Sequence, residues 1–206
     1  MTRDRLDYVD VGVLDAVLFD MDGTLLDSYP VVERCWTEVA VRHGLDPASV
    51  LAMIHGVPAD YSLRRLFPEA SAEFIAAEFD RLLDRECEVT DGVRALPGAH
   101  ELIAWLDERR TPWAVVTSAV PRLAWVRLRA AGFEPTVLVT PLDTARGKPA
   151  PDPFLEGARR LGVPIERCLA VEDSPGGLES ARASGAVVVE VGPDGVSLVD
   201  LLGRLR

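Results

Sequence analysis

Three features of this chain predict an α/β fold, a doubly wound parallel sheet (Rossmann-like) carrying a small helical insert. Beyond Gly98, short β-branched apolar runs alternate with longer stretches of helical period. An earlier run of the same kind, Ala-Val-Leu-Phe at 16–19, stands well before that alternation begins. Between the two, over residues 31–93, apolar residues recur only at helical spacing. Continuous apolar strands separated by helices of this length indicate a parallel sheet covered on both faces.

Each element has its own signal. The run at 16–19 is the first strand. Val31, Val32, Cys35, Trp36 and Val39 then form the apolar stripe of a helix, and Trp36 and the later Phe79 are expected in the core of the insert. Asp46-Pro47 supplies an N-cap and a first-turn proline for a short second helix. Ser71 caps a longer one carrying Phe74, Ile75, Phe79, Leu82 and Leu83. After Pro97-Gly98 comes a helix with Leu102, Ile103, Trp105 and Leu106, then a strand at 113–116. Pro121 opens a helix bearing Leu123, Trp125, Val126 and Leu128 that stops at Gly132, and a strand follows at 136–139. A helix over 153–161 ends at Gly162, a strand covers 168–171, a helix over 177–183 stops at Gly185, and a last strand occupies 187–191. The expected organisation is a catalytic α/β core of residues 1–27 and 95–206, with residues 28–94 a helical cap inserted after the first strand. The two connections, near 28–30 and 94–98, would be its hinges.

Bulk properties narrow the partners. With 206 residues and 48% hydrophobic composition, the chain can bury one dry core. A net charge of −11 argues against nucleic acid or an anionic membrane as a partner. No apolar run approaches the ~20 residues of a membrane helix. Arg3, Asp4 and Arg5 are followed by no apolar h-region, so the start does not read as a secretory signal. Cys35, Cys87 and Cys168 are few and far apart, which fits buried thiols in a reducing cytoplasm better than disulfides or a zinc site. An acidic protein of this kind, expected as a monomer or weak homodimer, must create any positive field locally.

The residues that carry chemistry stand at the C-terminal ends of the expected strands, where ligands of open parallel sheets bind. Asp20-Met21-Asp22-Gly23-Thr24 follows the first strand, and Thr117-Ser118 follows the strand at 113–116. Gly147-Lys148-Pro149 lies in the loop after the strand at 136–139, and Glu172-Asp173 follows the strand at 168–171. Taken singly, each has an ordinary explanation as a turn, a helix cap or a loop lysine. Four of them in order along one sheet edge do not.

This ordered set resembles the haloacid dehalogenase superfamily in its phosphatase branch. Asp20-Met21-Asp22-Gly23-Thr24-Leu25 reproduces the first motif of that family in full, and Thr117, Lys148 and Glu172-Asp173 follow in its order. The resemblance runs from about Asp15 to Val191, and the helical insert falls where that family carries a cap. It implies a magnesium-dependent phosphoryl transfer to the carboxylate of Asp20. Magnesium would be held by Asp20, Asp173 and the backbone carbonyl of Asp22. Asp22 would protonate the leaving alcohol and then activate water. Thr117 and Ser118 would donate to the phosphoryl oxygens, Lys148 would offset their charge, and Glu172 would orient a metal-bound water. The residue types suit the task. Two carboxylate charges 4 Å apart at an effective dielectric of ~20 repel by roughly 4 kcal/mol, and a divalent cation reverses that sign.

Substrate choice is left to the insert. The stretch from His55-Gly56 through Ser62-Leu63-Arg64-Arg65 looks like that of sugar-phosphate and polyol-phosphate phosphatases, with His55 and Arg65 as candidate substrate contacts and Tyr29 and Glu33 near the first hinge. The expected substrate is a small phosphorylated metabolite. A sugar-phosphate mutase of the β-phosphoglucomutase type is the competing enzyme, weakened because Pro58 and Ala59 occupy the positions where that group carries a basic residue. A haloacid dehalogenase would need neither Asp22 nor Asp173, and a silent phospholigand sensor would have no use for the intact acid set.

Overall fold

The computed structural model describes residues 14–54, 58–193 and 195–206. Its main sheet has five parallel strands in the order β5-β4-β1-β6-β7: β1 (Ala16–Phe19), β4 (Trp113–Val116), β5 (Leu138–Val139), β6 (Cys168–Glu172) and β7 (Val187–Glu190). β1 lies at the centre, with Phe19 facing Val115 on one side and Val171 on the other. The chain adds strands outward from β1 on one side, then crosses to build the other. The strand order therefore switches beside β1, and its C-terminal end is where such a sheet forms a crevice.

Side-chain alternation sends the two faces of the sheet into separate apolar clusters. Ala16, Leu18, Ala114, Val116 and Ala170 pack with Phe154 and Ala158 of α7 (Asp152–Leu161) and Ala181 of α8 (Pro175–Ser184). Val17, Phe19, Val115, Leu169 and Val171 face α5 (Ala99–Arg109), α6 (Pro121–Ala130) and α9 (Leu198–Leu205). The doubly wound α/β class is as expected. β5 is a two-residue edge strand rather than 136–139, because its ladder to β4 holds only at Leu138 and Val139. α9 lies beyond the last element read from sequence, although Leu198, Leu201, Leu202 and Leu205 have helical spacing and Ser197 Oγ caps the helix by accepting from Asp200 N (3.0 Å).

Between β1 and α5 stand four helices among the described residues: α1 (Tyr29–Arg42), α2 (Pro47–Ile54), α3 (Ala59–Leu66) and α4 (Ala72–Glu88). Ser71 Oγ accepts from Phe74 N (3.2 Å) and caps α4, and Asp46 Oδ2 accepts from Ser49 N (3.1 Å) at the start of α2. Trp36 is buried, while Phe79 is half-buried. Where hinges were expected, β2 (Leu26–Asp27) and β3 (Arg94–Ala95) form a short antiparallel ribbon. Arg94 Nη2 donates to Asp27 Oδ2 across it at 3.1 Å. Two-residue strands carry too little periodicity to be read from sequence. Cys35 and Cys168 are buried and Cys87 half-buried, all as free thiols. No helix among the described residues is long and apolar enough to cross a membrane.

Candidate active site

Register brings the motifs together. The chain leaves β1 at Asp20 beside the ends of β4 and β6, so Thr117, Glu172 and Asp173 fall alongside it. Lys148 reaches in from the loop after β5. Its Nζ donates to Asp20 Oδ1 at 2.5 Å and to Glu172 Oε1 at 2.7 Å, and all three side chains are buried. A charge-assisted bridge of this length holds the ammonium and both carboxylates in one geometry. It also keeps Lys148 charged: burial disfavours the ammonium, and Asp20 and Glu172 more than restore it.

The carboxylates crowd one another. Burial first, and then the charges of Glu172 and Asp173, hold the Asp20 carboxyl well above the usual range, although Lys148 pulls the other way. Asp173 is pushed up to about 6 by burial and then by Glu172, against a hydrogen bond from Thr24 Oγ1 (3.1 Å). Asp20, Glu172 and Asp173 each bring a carboxylate oxygen within 4.8 Å of the others. An all-oxygen set in which Glu172 raises the proton affinity of Asp20 and Asp173 fits a hard divalent cation, which would remove that repulsion. Glu172 is the least available of the three. Its Oε1 is taken by Lys148 and its Oε2 accepts from Ser174 N (2.7 Å) and Ser174 Oγ (3.0 Å), so it anchors the lysine and the start of α8.

Two glycines make room for these acids. Gly23 has φ +85, and a Cβ there would meet Asp173 Oδ2 at 2.1 Å. A Cβ on Gly177, in the first turn of α8, would meet Glu172 Oε1 at 1.8 Å. Neither position can carry a larger residue without displacing an acid.

Thr117 is buried, and its Oγ1 accepts from Ala119 N at 3.0 Å, which leaves its own proton for an outside acceptor. Ser118 is exposed beside it. Neither caps α6, whose N-cap is Val120. The hydroxyl of Tyr29 approaches Asp173 Oδ2 at 3.4 Å; burial and then Asp173 push its pKa to about 12, so it stays neutral. Arg65 lies exposed in the last turn of α3, and His55 falls outside the described residues.

β1 ends at Phe19, so strand alternation does not aim Asp20 and Asp22 together. Met21 between them is buried, Asp20 turns to Lys148, and Asp22 Oδ1 accepts from Ser28 Oγ (2.6 Å) and Arg127 Nη1 (3.0 Å). Ser28 is the N-cap residue of α1, yet its hydroxyl serves Asp22 instead of the helix. Arg127 was missed from sequence. The available signal was its place on the apolar stripe of α6, three and four residues beyond the buried Ala124 and Leu123. Glu86, its partner on α4, stands likewise in line with Ile75 and Leu82.

Comparison with known proteins shows the family. The haloacid dehalogenase-like hydrolase profile matches residues 14–185. The chain belongs to that family. It is 48% identical over 175 residues to hexitol phosphatase A of Escherichia coli, covering 84% of this chain and 81% of that one. It is 30% identical to 2-deoxyglucose-6-phosphate phosphatase 1 of Saccharomyces cerevisiae, over 86% and 79% of the two chains. Among solved structures, that of CbbY from Rhodobacter sphaeroides in complex with phosphate superposes with a TM-score of 0.75 at 25% identity, covering 87% of each chain.

Proposed function

We propose that this protein is a magnesium-dependent phosphatase that hydrolyses a small sugar or polyol monophosphate through an aspartyl-phosphate on Asp20. The bridge from Lys148 to Asp20 and Glu172 carries the reading, since it immobilises a buried carboxylate beside a cation at the crevice of the sheet. The relatives named as sugar and sugar-alcohol phosphatases support the substrate class.

With Oδ1 bound to Lys148, Oδ2 of Asp20 attacks phosphorus, and the bond from phosphorus to the ester oxygen breaks. Asp22 gives its proton to the departing alkoxide. Water then attacks the phosphorus of the aspartyl-phosphate and passes a proton to Asp22, and Asp20 is released as carboxylate with inorganic phosphate. Thr117 and Ser118 donate to the phosphoryl oxygens, and Lys148 offsets the charge that spreads over them. Magnesium, held by Asp20, Asp173 and the Asp22 carbonyl, would neutralise the dianion and the crowded acids.

On this reading residues 28–94, with α1–α4, form a cap carried on the β2/β3 ribbon over the core of residues 1–27 and 95–206. Arg65 and His55 then stand on the part of the chain that selects the alcohol. A cytoplasmic location suits free thiols and a phosphorylated metabolite. The test is phosphate release from a panel of hexose, hexitol and glycerol phosphates, with and without chelator. Hydrolysis that survives chelation overturns the metal assignment, and conversion to an isomeric sugar phosphate without phosphate release overturns the hydrolase.

A further inference from the structure

Outside the Lys148 site the structure holds a second buried cation between two carboxylates. Arg127 of α6 is only 6% exposed, and Glu86 of α4 only 7%. Arg127 Nη2 donates to Glu86 Oε2 at 2.9 Å and Nη1 to Asp22 Oδ1 at 3.0 Å, while its buried Nε has no partner among the described residues. Such a group gives little stability by itself. Desolvation can cancel the Coulomb gain of a buried pair, and an unsatisfied donor adds cost, so apolar residues of similar volume would hold α4 on α6 as well. What apolar residues cannot do is orient Asp22.

The pattern at Asp22 is specific. Both Arg127 and Ser28 donate to the same oxygen, Oδ1. An oxygen already accepting two donors is a poor place for a proton, so the exchangeable proton belongs on Oδ2, and the two bonds together fix the carboxyl plane. We propose that Arg127 is a positioning residue for proton transfer: anchored by Glu86 on α4, it holds Asp22 through Oδ1 so that Oδ2 delivers and recovers the proton. This rests on the reading of Asp22 as the acid and base. It makes proton transfer depend on α4 being docked against α6, while phosphoryl attack at Asp20 uses only groups from the sheet rim.

That separation gives the experiment. Glycerol phosphate loses an alkoxide that must be protonated, whereas dinitrophenyl phosphate loses a phenolate that leaves unprotonated. kcat/KM reports steps only as far as the first irreversible one, here formation of the aspartyl-phosphate. Arg127→Met should lower kcat/KM for glycerol phosphate by about 10²-fold, toward the lower end of what proton transfer contributes. For dinitrophenyl phosphate the change should stay within about threefold, the small residue expected of a group outside the transferred charge. In an Asp22→Asn background the same replacement should cost less than about threefold on either substrate, because groups acting as one unit are not additive. Equal losses on both substrates, or an undiminished loss in the Asp22→Asn background, mean that Arg127 is merely structural and overturn the inference. If Arg127→Met does not fold, Glu86→Gln carries the same test. It should show about a tenfold loss confined to glycerol phosphate, and either no loss or equal losses overturn the inference. Asp22→Asn alone is the control: should it leave the ratio of the two substrates unchanged, Asp22 is not the acid, and both the reading and the inference fall. A ratio shifted by Asp22→Asn but by neither Arg127→Met nor Glu86→Gln sinks the inference and leaves the reading standing.

Discussion

The rim of the sheet and the seam between α4 and α6 are built on one plan, a buried cation between two carboxylates, and they differ in what holds the carboxylates apart. At the rim, Lys148 bridges Asp20, the residue after β1, and Glu172, the last of β6, and the two strands are paired residue by residue from Ala16 to Phe19. Their separation is set by the ladder and changes only if the core unfolds. At the seam, Arg127 bridges Asp22 and Glu86, and Glu86 belongs to a helix that follows α3 and leads along the chain into the β2/β3 ribbon rather than into the sheet. Its separation from Asp22 depends on how α4 docks. The rim is therefore suited to a step whose geometry never varies, and the seam to a step that is permitted only in one pose.

Substitutions can break or sharpen this comparison. The largest effect should come from Asp20→Asn, which removes the proposed nucleophile: turnover should fall by more than about 10⁴-fold on every substrate, with no phosphoenzyme trapped after an acid quench. Near-normal turnover would place the nucleophile elsewhere. Lys148→Met should follow, with a loss of about 10²–10³-fold. Because the transferred phosphoryl charge is common to all substrates, that loss should be the same for glycerol phosphate and dinitrophenyl phosphate. A selective loss would erase the distinction between rim and seam.

Gly23→Ala tests how closely the rim is packed. The left-handed backbone alone should cost about 1–2 kcal/mol, read as a lower Tm. Displacement of Asp173 should raise the magnesium concentration for half-maximal activity by about tenfold. The smallest effect belongs to Arg122→Ala, which removes the exposed pair of Arg122 with Asp84 beside the buried one on the same seam. Both side chains are more than half exposed, so the melting temperature should scarcely change and the ratio between the two substrates not at all. A shift in that ratio would mean that the whole seam, rather than Arg127, positions Asp22.

Legibility in the sequence divides along the same line. β1 was read to the residue, and α7 and α8 to within two residues at either end, because glycine stops at Gly162 and Gly185 and apolar period are local signals. α9 carried the same signal and was passed over. The ribbon of β2 and β3 had none, since two residues make no period and only the pairing of Leu26 with Ala95 creates it. Ser28 stands at the N-cap position of α1, yet its hydroxyl serves Asp22, which no local signal shows. Arg127 and Glu86 each stand as a polar interruption of an apolar stripe.

The amino-acid order alone determined the parallel sheet, the helices that cover it and the acids and lysine at its rim. Apolar burial is non-directional, so a stripe at the right period packs wherever a partner face exists, and parallel pairing then carries its end residues to one edge. Only the tertiary structure decided that Arg127, 105 residues beyond Asp22, would donate to it and to Glu86 at once. Such a bridge exists within about 3 Å or not at all, and that distance is set by how one helix seats on another rather than by any pattern along either.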